Sequence, residues 1–390
     1  MSRLTLFHVG FLFLILFFTT TAKAQKEAET FNVDSTLYEY YQRCQEYLLE
    51  PVVLSMSDTL FRMAGERHDE RMQAVAIATR LDYYYFQGTN EDSVIHYTNK
   101  VKEFAKATHQ PKYYYFAWAN RLVTYYLKTS RTNIALYEVQ NMLKEAQKED
   151  DKTGLSRCYN IMSQIYTIKR FDSMAFEWRL KEIELTEKYN IENYNISQTY
   201  AQIANYYISQ KKQKEALRAV EKAISTANSS TQQISAKLEY VNYYSKFGDF
   251  QAAEKILKEC QIAFEQDKRL ESIKKRLYNI ECLYYQQTRQ YQKALEAAEM
   301  QEKEEHRLSE SILSSSHYRT QGEIYQKMGN MNMAVKYLQM YINTDDSLKI
   351  ANEQVASSEF ATLLNVEKLN AEKKELMLQA QERSCIIKQH

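Results

Sequence analysis

Residues 204–223, ANYYISQKKQKEALRAVEKA, decide the fold of this 390-residue chain. Ala204 and Tyr207 are three residues apart, so they share one face of a helix. Ala216 follows nine residues after Tyr207 and begins a second stretch with small and apolar residues at helical spacing. A turn around Lys211 separates the two stretches. The pattern predicts two amphipathic helices packed as a hairpin, in which a small residue lets the backbones approach closely.

The same arrangement recurs along the chain at intervals of 37 to 42 residues. The small position is occupied by Ser93, Ala135, Ala175, Ala216, Ala253, Ala294 and Ala334. Nine residues earlier come Tyr84, Tyr126, Tyr166, Tyr207, Tyr244, Tyr285 and Tyr325. Three residues before each tyrosine stand Leu81, Val123, Ser163, Ala204, Val241, Cys282 and Gly322. Seven tyrosines at one position of the pattern indicate an internal repeat in which the ring has the same packing role each time.

One position of the repeat predicts the turn inside each hairpin. Five residues before each small residue stand Gly88, Ser130, Arg170, Lys211, Gly248, Arg289 and Gly329. Three of the chain's seven glycines share this slot. Glycine adopts the left-handed backbone region without steric cost, and helices often end there. We therefore expect this slot to adopt that conformation.

The composition favours helices stacked in an array. Seven glycines and two prolines are too few for the turns of a β-rich fold. Mean hydropathy is −0.59, yet 44% of residues are hydrophobic, which is typical of a folded chain with charged outer faces. A single hairpin cannot bury its apolar stripe alone, so neighbouring hairpins must stack. The sequence predicts an all-α solenoid.

At these positions the chain resembles the tetratricopeptide repeat (TPR) family. The clearest copies are the set around Tyr207 and the set Gly322, Tyr325, Ala334 and Leu338. The resemblance covers about residues 35–345 and implies a right-handed α-solenoid of about seven to eight hairpins. The repeat here is near 40 residues rather than about 34, so longer helices are expected. Arg179 and Glu182 stand where the family prefers small or apolar residues, which predicts loose packing there.

In this family the first helix of each hairpin lines a concave groove. The residues beside the packed stripe are then candidates for contact with a partner: Asn120, Asn160, Gln164, Asn205, Asn242, Asn279, Arg319 and Glu323. An asparagine amide both donates and accepts hydrogen bonds, so a row of asparagines suits an extended peptide backbone. The alternative is that these are ordinary polar residues on a hydrated face. Too few basic residues accompany them for a site specific for C-terminal carboxylates.

The first 24 residues have the features of a signal peptide. Arg3 precedes an apolar run from Leu4 to Phe18, and Ala22-Lys23-Ala24 fits a cleavage site. The run is short for a membrane span, and the alternative is an uncleaved inner-membrane anchor. Removal of residues 1–24 takes away Arg3 and Lys23, which changes the formal charge from +1 to −1. A near-neutral chain lacks the basic surface that nucleic acid requires. The solenoid is then expected over 25–345.

Residues 346–390 predict a long charged helix and tail. No glycine or proline interrupts Leu348 to Arg383. The layout resembles the periplasmic sensor half of TPR signalling proteins of Bacteroidetes-type bacteria, which continue into a membrane span and an output domain. Here the chain stops at His390 without either, as a stand-alone paralogue or a truncated sensor would. A weak seven-residue spacing of apolar residues raises dimerisation through this helix as an alternative to a solvated cap.

The sequence shows no local signature of catalysis or metal binding. No two histidines are four residues apart, and the five cysteines fit no metal motif. We therefore expect no enzyme activity, no cofactor and no metal. The function predicted is a protein- or peptide-binding scaffold in the periplasm, related to the sensor region of a signal-transduction protein. The alternatives are a structural adaptor of an envelope or outer-membrane assembly, with a membrane-protein partner, and a cytoplasmic TPR regulator.

Overall fold

The computed structural model describes residues 33–88, 90–191, 193, 195–308, 315–347, 349, 353–356, 359 and 363. They form two compact units, divided between Ile161 and Met162. Every regular element in the described residues is a helix, so the prediction of an all-α solenoid is confirmed. The predicted signal peptide, residues 1–24, lies outside the described residues, as does most of the segment 346–390. Those predictions stay predictions.

Unit 1 consists of helical hairpins followed by the beginning of a further helix. In chain order its elements are α1 (Ser35–Glu46), α2 (Val52–Glu66), α3 (Glu70–Gln87), α4 (Glu91–Ala107), α5 (Pro111–Tyr115), the π-helix π1 (Phe116–Val123), α6 (Thr124–Lys128), α7 (Thr132–Lys148) and the first part of α8 (Lys152–Ile168). The elements α5, π1 and α6 follow one another without a break and act as one long first helix.

Unit 2 continues from α8 with the same alternation. Its elements are α9 (Asp172–Tyr189), α10 (Ile196–Ser209), α11 (Gln213–Ser225), α12 (Ser230–Phe247), α13 (Phe250–Gln266), a 3₁₀ helix (Lys268–Ile273), α14 (Lys274–Gln287), α15 (Tyr291–Leu308), α16 (Ser316–Lys327) and α17 (331–347). The first helices α10, α12 and α14 each pack against the second helix that follows, α11, α13 and α15.

Left-handed residues end the helices at regular intervals. All seven residues of the predicted turn slot have positive φ, between 57° at Lys211 and 91° at Gly248. Four further residues with positive φ, His68, His109, Asp150 and Asn190, follow second helices. From His68 to Lys211 such a residue comes every 20 or 21 positions. The turn prediction is therefore confirmed, and the regular spacing explains the period of about 40 residues.

Four of the seven turn positions carry a side chain in a conformation that favours glycine. We expect Lys211→Gly, at φ 57°, to raise the free energy of unfolding by about 0.5–1 kcal/mol, because relief of backbone strain exceeds the added entropy of the unfolded chain. Gly248→Ala is the matched reverse change, and its Cβ would meet no atom within 4 Å. This substitution should lower the free energy of unfolding, measured by urea denaturation, by about 1 kcal/mol. Equal changes in the free energy of unfolding for the two variants would contradict the left-handed conformation of this turn slot.

The small positions lie at the contact between the two helices of a hairpin. All six alanines of the repeat slot are 3% exposed or less, and Ser93 is half-buried. At Gly322, an added Cβ would lie 2.8 Å from Cγ of Leu338 on the facing helix. This distance leaves no room for a methyl group. The small residues therefore set how closely the two backbones approach.

The repeat tyrosines lie at the edge of the hairpin core. Tyr126 is 5% exposed, and the other six are half-buried. Tyr84 stacks on Tyr97 with ring centroids 5.3 Å apart, and Tyr325 stacks on Tyr337 at 5.4 Å. In both pairs the second ring comes from the following helix. These tyrosines join the two helices of a hairpin by ring stacking and leave the centre to smaller residues.

The prediction of loose packing at Arg179 and Glu182 is wrong. These side chains are 8% and 1% exposed. Arg179 donates from Nε to Gln202 at 2.7 Å and from Nη2 to the Thr167 hydroxyl at 2.7 Å. Glu182 accepts from the Asn193 amide at 3.0 Å. In this repeat, two long polar side chains thus occupy positions that small or apolar residues hold in the other repeats. Hydrogen bonds compensate for the burial of these side chains.

Candidate functional site

The first helices of unit 2 form its inner layer. Helix α10 contacts α12, and α12 contacts α14, whereas the second helices α11, α13 and α15 pack mainly against first helices. Helices that touch their counterparts in the next repeat lie on the shorter side of a curved stack. We call the surface formed by α10, α12 and α14 the inner face of unit 2.

A ladder of polar side chains runs across this inner face. The Asn242 amide nitrogen Nδ2 donates to Oδ1 of Asn205 at 2.6 Å and approaches Oε2 of Glu239 at 3.4 Å. The other oxygen of Glu239 forms an ion pair with Nη2 of Arg276. The ladder thus joins three successive first helices. It leaves the Asn205 amide nitrogen and the Asn242 carbonyl oxygen without a partner in the described part of the chain.

Glu239 and Arg276 form a shielded ion pair at the end of the ladder. Glu239 is 1% exposed, and the Arg276 side chain is 26% exposed. The Nε atom of Arg276 is buried and has no hydrogen-bond partner among the described residues. Sequence analysis did not single out Glu239. A buried donor without a partner carries a cost in stability.

A cavity of about 140 Å³ lies beside this ion pair. Helix α10 contributes Ser197 and Gln198, α12 contributes Ser235, and the next repeat contributes Ile273 and Arg276. The cavity is therefore built from three consecutive repeats on the inner face. Its lining surface is mainly apolar, and serine, glutamine and arginine side chains add a few polar groups, as in many ligand pockets.

Unit 1 has a comparable pair on its own first helices. Arg121 on π1 forms an ion pair with Asp82 on α3, and both side chains are less than one-fifth exposed. Burial raises the pKa of Asp82, and the hydrogen bond and charge of Arg121 oppose that effect. The guanidinium also lies 4.5 Å from the ring centre of Phe116 and 4.9 Å from that of Tyr85. These contacts hold Arg121 in a largely structural role.

The remaining predicted residues have varied environments. Asn120 accepts a long hydrogen bond of 3.4 Å from Arg157. Asn279 is exposed, and Arg319 pairs with Glu323 at 3.6 Å on the same helix. Asn160 is half-buried and Gln164 exposed, on opposite sides of the unit boundary. Of the predicted set, the structure joins Asn205 with Asn242 across two repeats and Arg319 with Glu323 within one helix.

The four described cysteines are buried thiols. Burial raises the pKa of Cys44 and Cys260 to about 11 and that of Cys158 to about 12, and it also raises the pKa of Cys282. Thiolate is the reactive form, so at pH 8 we expect these four to react with Ellman's reagent only as the chain unfolds. In urea all five thiols should react. Two or more thiols reacting within seconds in the native chain would contradict this.

Two features are absent from the described ranges. No three His, Cys, Asp or Glu side chains among these residues come together as they would around a metal ion. No helix in the same ranges is long and apolar enough to cross a membrane.

The hairpins, left-handed turns and small contact positions define the class of fold: the chain is an all-α solenoid of TPR-type repeats. No protein-family model matches the sequence, and no curated protein is similar to it. Solved structures do match. The apo form of the quorum sensor NprR from B. thuringiensis aligns over 82% of this chain and 91% of its own, with a TM-score of 0.52 and 13% identity.

Two further solved structures have the same fold. The apo form of RapI aligns over 69% of this chain and 98% of its own, with a TM-score of 0.50 and 15% identity. A Rap protein in complex with Competence and Sporulation Factor aligns over 84% of this chain and 92% of its own, also with a TM-score of 0.50 and 15% identity. At such low identity the likeness establishes the fold alone.

Proposed function

We propose that the chain is a non-catalytic scaffold that binds an extended protein segment on the inner face of unit 2. The observation that carries this proposal is the Asn205–Asn242 pair. Its hydrogen bond leaves the Asn205 amide nitrogen and the Asn242 carbonyl oxygen without a partner among the described residues. A peptide backbone offers the complementary pair, one carbonyl and one N–H.

A complex formed by one protein of similar fold supports this choice. The Rap protein was solved in complex with Competence and Sporulation Factor, so an array of this type binds another molecule there. A curved stack of first helices is the usual binding surface of helical repeats. The proposal carries over the binding of another molecule by an array of this type and leaves the identity of the ligand open.

We further propose a periplasmic location, on the basis of the features of residues 1–24, and descent from the sensor region of a signalling protein, on the basis of the resemblance of the layout that includes the charged segment 346–390. A structural adaptor of an envelope assembly and a cytoplasmic regulator are the alternatives. Sequencing the N-terminus of the protein from fractionated cells separates the exported forms from the cytoplasmic regulator. A product that begins at Gln25 in the periplasmic fraction supports export, and an intact Met1 terminus in the cytoplasm would contradict it.

Substitutions at the asparagine pair test the binding surface. Peptides are selected from a random displayed library with the full-length chain, and their affinities are measured for variants. We expect Asn205→Ala with Asn242→Ala to weaken binding about tenfold or more, because two backbone hydrogen bonds are lost. The free energy of unfolding should fall by no more than about 1 kcal/mol, the value of one hydrogen bond.

The matched control is Lys255→Ala, an exposed position on α13, which is a second helix. It should change neither affinity nor stability. Loss of stability in the asparagine variant with unchanged peptide affinity would show that the pair is structural. A library that yields no binding peptide would overturn the proposed function itself.

A further inference from the structure

Two alanines line the inner-face cavity at positions where the next repeat has leucine. Ala201 on α10 and Ala236 on α12 are both among its lining residues. Their counterparts in the next repeat are Leu238, 37 residues after Ala201, and Leu277, 41 residues after Ala236. Both leucines are buried in the core of that repeat. Alanine in place of leucine removes side-chain volume, which leaves space beside α10 and α12.

The size of the cavity fits one aliphatic side chain. Its volume is about 140 Å³, and its lining surface is mainly apolar and partly open to solvent. A cavity of about 150 Å³ holds one benzene molecule. A leucine or isoleucine side chain is smaller than benzene and fits, whereas the indole of tryptophan is too large. The rest of a bound segment would lie outside the cavity, along the inner face.

Three of the polar side chains that line the cavity already have partners within the chain. Ser197 donates its hydroxyl proton to the carbonyl oxygen of Ala223 at 2.6 Å. Oε1 of Gln232 accepts from the backbone N–H four residues earlier, at 3.1 Å. Nη2 of Arg276 forms the ion pair with Glu239. A polar group that has a partner requires none from a ligand, so an apolar side chain can enter without depriving these groups of hydrogen bonds.

The cavity and the asparagine pair lie on the same side of the first helices. Ala201 and Asn205 are four residues apart on α10, and Ser235 and Asn242 are seven apart on α12. These spacings correspond to about 6 and 10 Å along the helix axes. An extended chain advances about 3.3 Å per residue, so a side chain in the cavity would belong to a residue about two or three positions from the one at the asparagine pair.

We propose that the cavity is an anchor pocket for one leucine-sized aliphatic side chain of the bound segment. Entry of this side chain removes apolar surface from water on both molecules, which is the main source of binding energy for such a group. This inference rests on the proposed function, because it names the class of side chain that the inner face selects in its peptide ligand.

Two probes of nearly equal size and shape test the pocket directly. N-acetyl-L-leucine methylamide and N-acetyl-L-asparagine methylamide are titrated into the full-length chain, in which the alanine methyl groups are labelled with ¹³C. The methyl resonances of Ala201 and Ala236, each assigned by its loss in a serine variant, report binding. We expect the leucine probe to shift both resonances with at least fivefold higher affinity than the asparagine probe. Equal affinities, or no shift with the leucine probe, would overturn the pocket assignment.

Filling the cavity from within should block the same probe. In Ala201→Leu the added carbons occupy the cavity, so the affinity for the leucine probe, followed at Ala236, should fall at least fivefold. The control is Lys255→Leu, which adds a leucine at an exposed position of α13 and should leave the affinity unchanged. An unchanged affinity in a folded Ala201→Leu variant would show that the probe binds elsewhere.

Enlarging the cavity guards against poor folding of Ala201→Leu. Ile273 also lines the cavity, so Ile273→Ala should shift the preference from the leucine probe toward N-acetyl-L-phenylalanine methylamide. An unchanged order of affinities in this variant would contradict the pocket. The displayed library separates failure of the pocket from failure of the proposed function. Selected peptides that share no aliphatic position refute the pocket, while a selection that yields no peptide refutes peptide binding.

Discussion

Replacing Gly154 with alanine should lower the free energy of unfolding by about 2 kcal/mol. An added Cβ at Gly154 would overlap the ring of Tyr115, lying 2.5 Å from its hydroxyl oxygen and 2.7 Å from Cε1. Tyr115 is 1% exposed, so the ring cannot move into solvent. Overpacking of this kind costs about 1–3 kcal/mol, and the helix preference of alanine recovers about 1 kcal/mol at most.

Gly65→Ala provides the matched control. It also adds a Cβ to a helical glycine, but the nearest atom is the amide end of the Gln73 side chain, at 2.9 Å, which can move aside. Urea denaturation should therefore find this variant unchanged or about 0.5 kcal/mol more stable. In a Tyr115→Leu background, Gly154→Ala should cost nothing further. Equal behaviour of the two alanine variants would show that Gly154 and Tyr115 are not in close contact.

Removing Arg276 should destabilise the chain by about 3 kcal/mol. Arg276→Met leaves the carboxylate of Glu239 buried without its counter-charge. Breaking a buried pair from one side costs about 3–5 kcal/mol, and the lower end applies because the Arg276 side chain is about a quarter exposed. Adding Glu239→Gln should recover most of the loss, since the uncompensated charge is then absent.

The exposed pair Arg319–Glu323 is the control for this effect. Both side chains are more than half exposed, with the charged atoms 3.6 Å apart. Arg319→Met should change the free energy of unfolding by less than about 0.5 kcal/mol, because water screens such pairs. A loss at Arg276 no larger than that at Arg319, measured by urea denaturation at pH 7, would contradict a buried pair on the inner face.

Local packing rules explain why the sequence predicts the repeat well. In each repeat, the turn requires a residue in the left-handed conformation at one position. The contact between the two helices requires a small residue at another position. The same requirements recur in every repeat. Gly248 in the turn slot and Ala216 in the small slot therefore belong to patterns that the sequence alone shows. The tyrosine slot was visible for the same reason, although six of its seven rings are half-buried rather than enclosed.

The ion pairs on the first helices depend on which residues of neighbouring repeats come into contact. The spacing of residues within one repeat does not show which residues these are. Glu239 reaches Arg276, and Asn205 reaches Asn242, each across 37 residues. Asp82 reaches Arg121 across 39. Asn205 and Asn242 occupy equivalent positions of adjacent repeats, which the sequence does show. The two ion pairs join residues three and four positions short of the local repeats of 42 and 41 residues, and that offset is the signal that would have indicated them.

Site-specific photocrosslinking tests the proposed binding surface most directly. A photoreactive amino acid is placed at Asn279, exposed on the inner-face helix α14, or at Lys255, exposed on the second helix α13. Both variants are irradiated with a peptide selected from the displayed library. A surface formed by the first helices predicts a crosslinked product from position 279 and none from position 255. A product from position 255 with none from 279 would show that the peptide binds elsewhere.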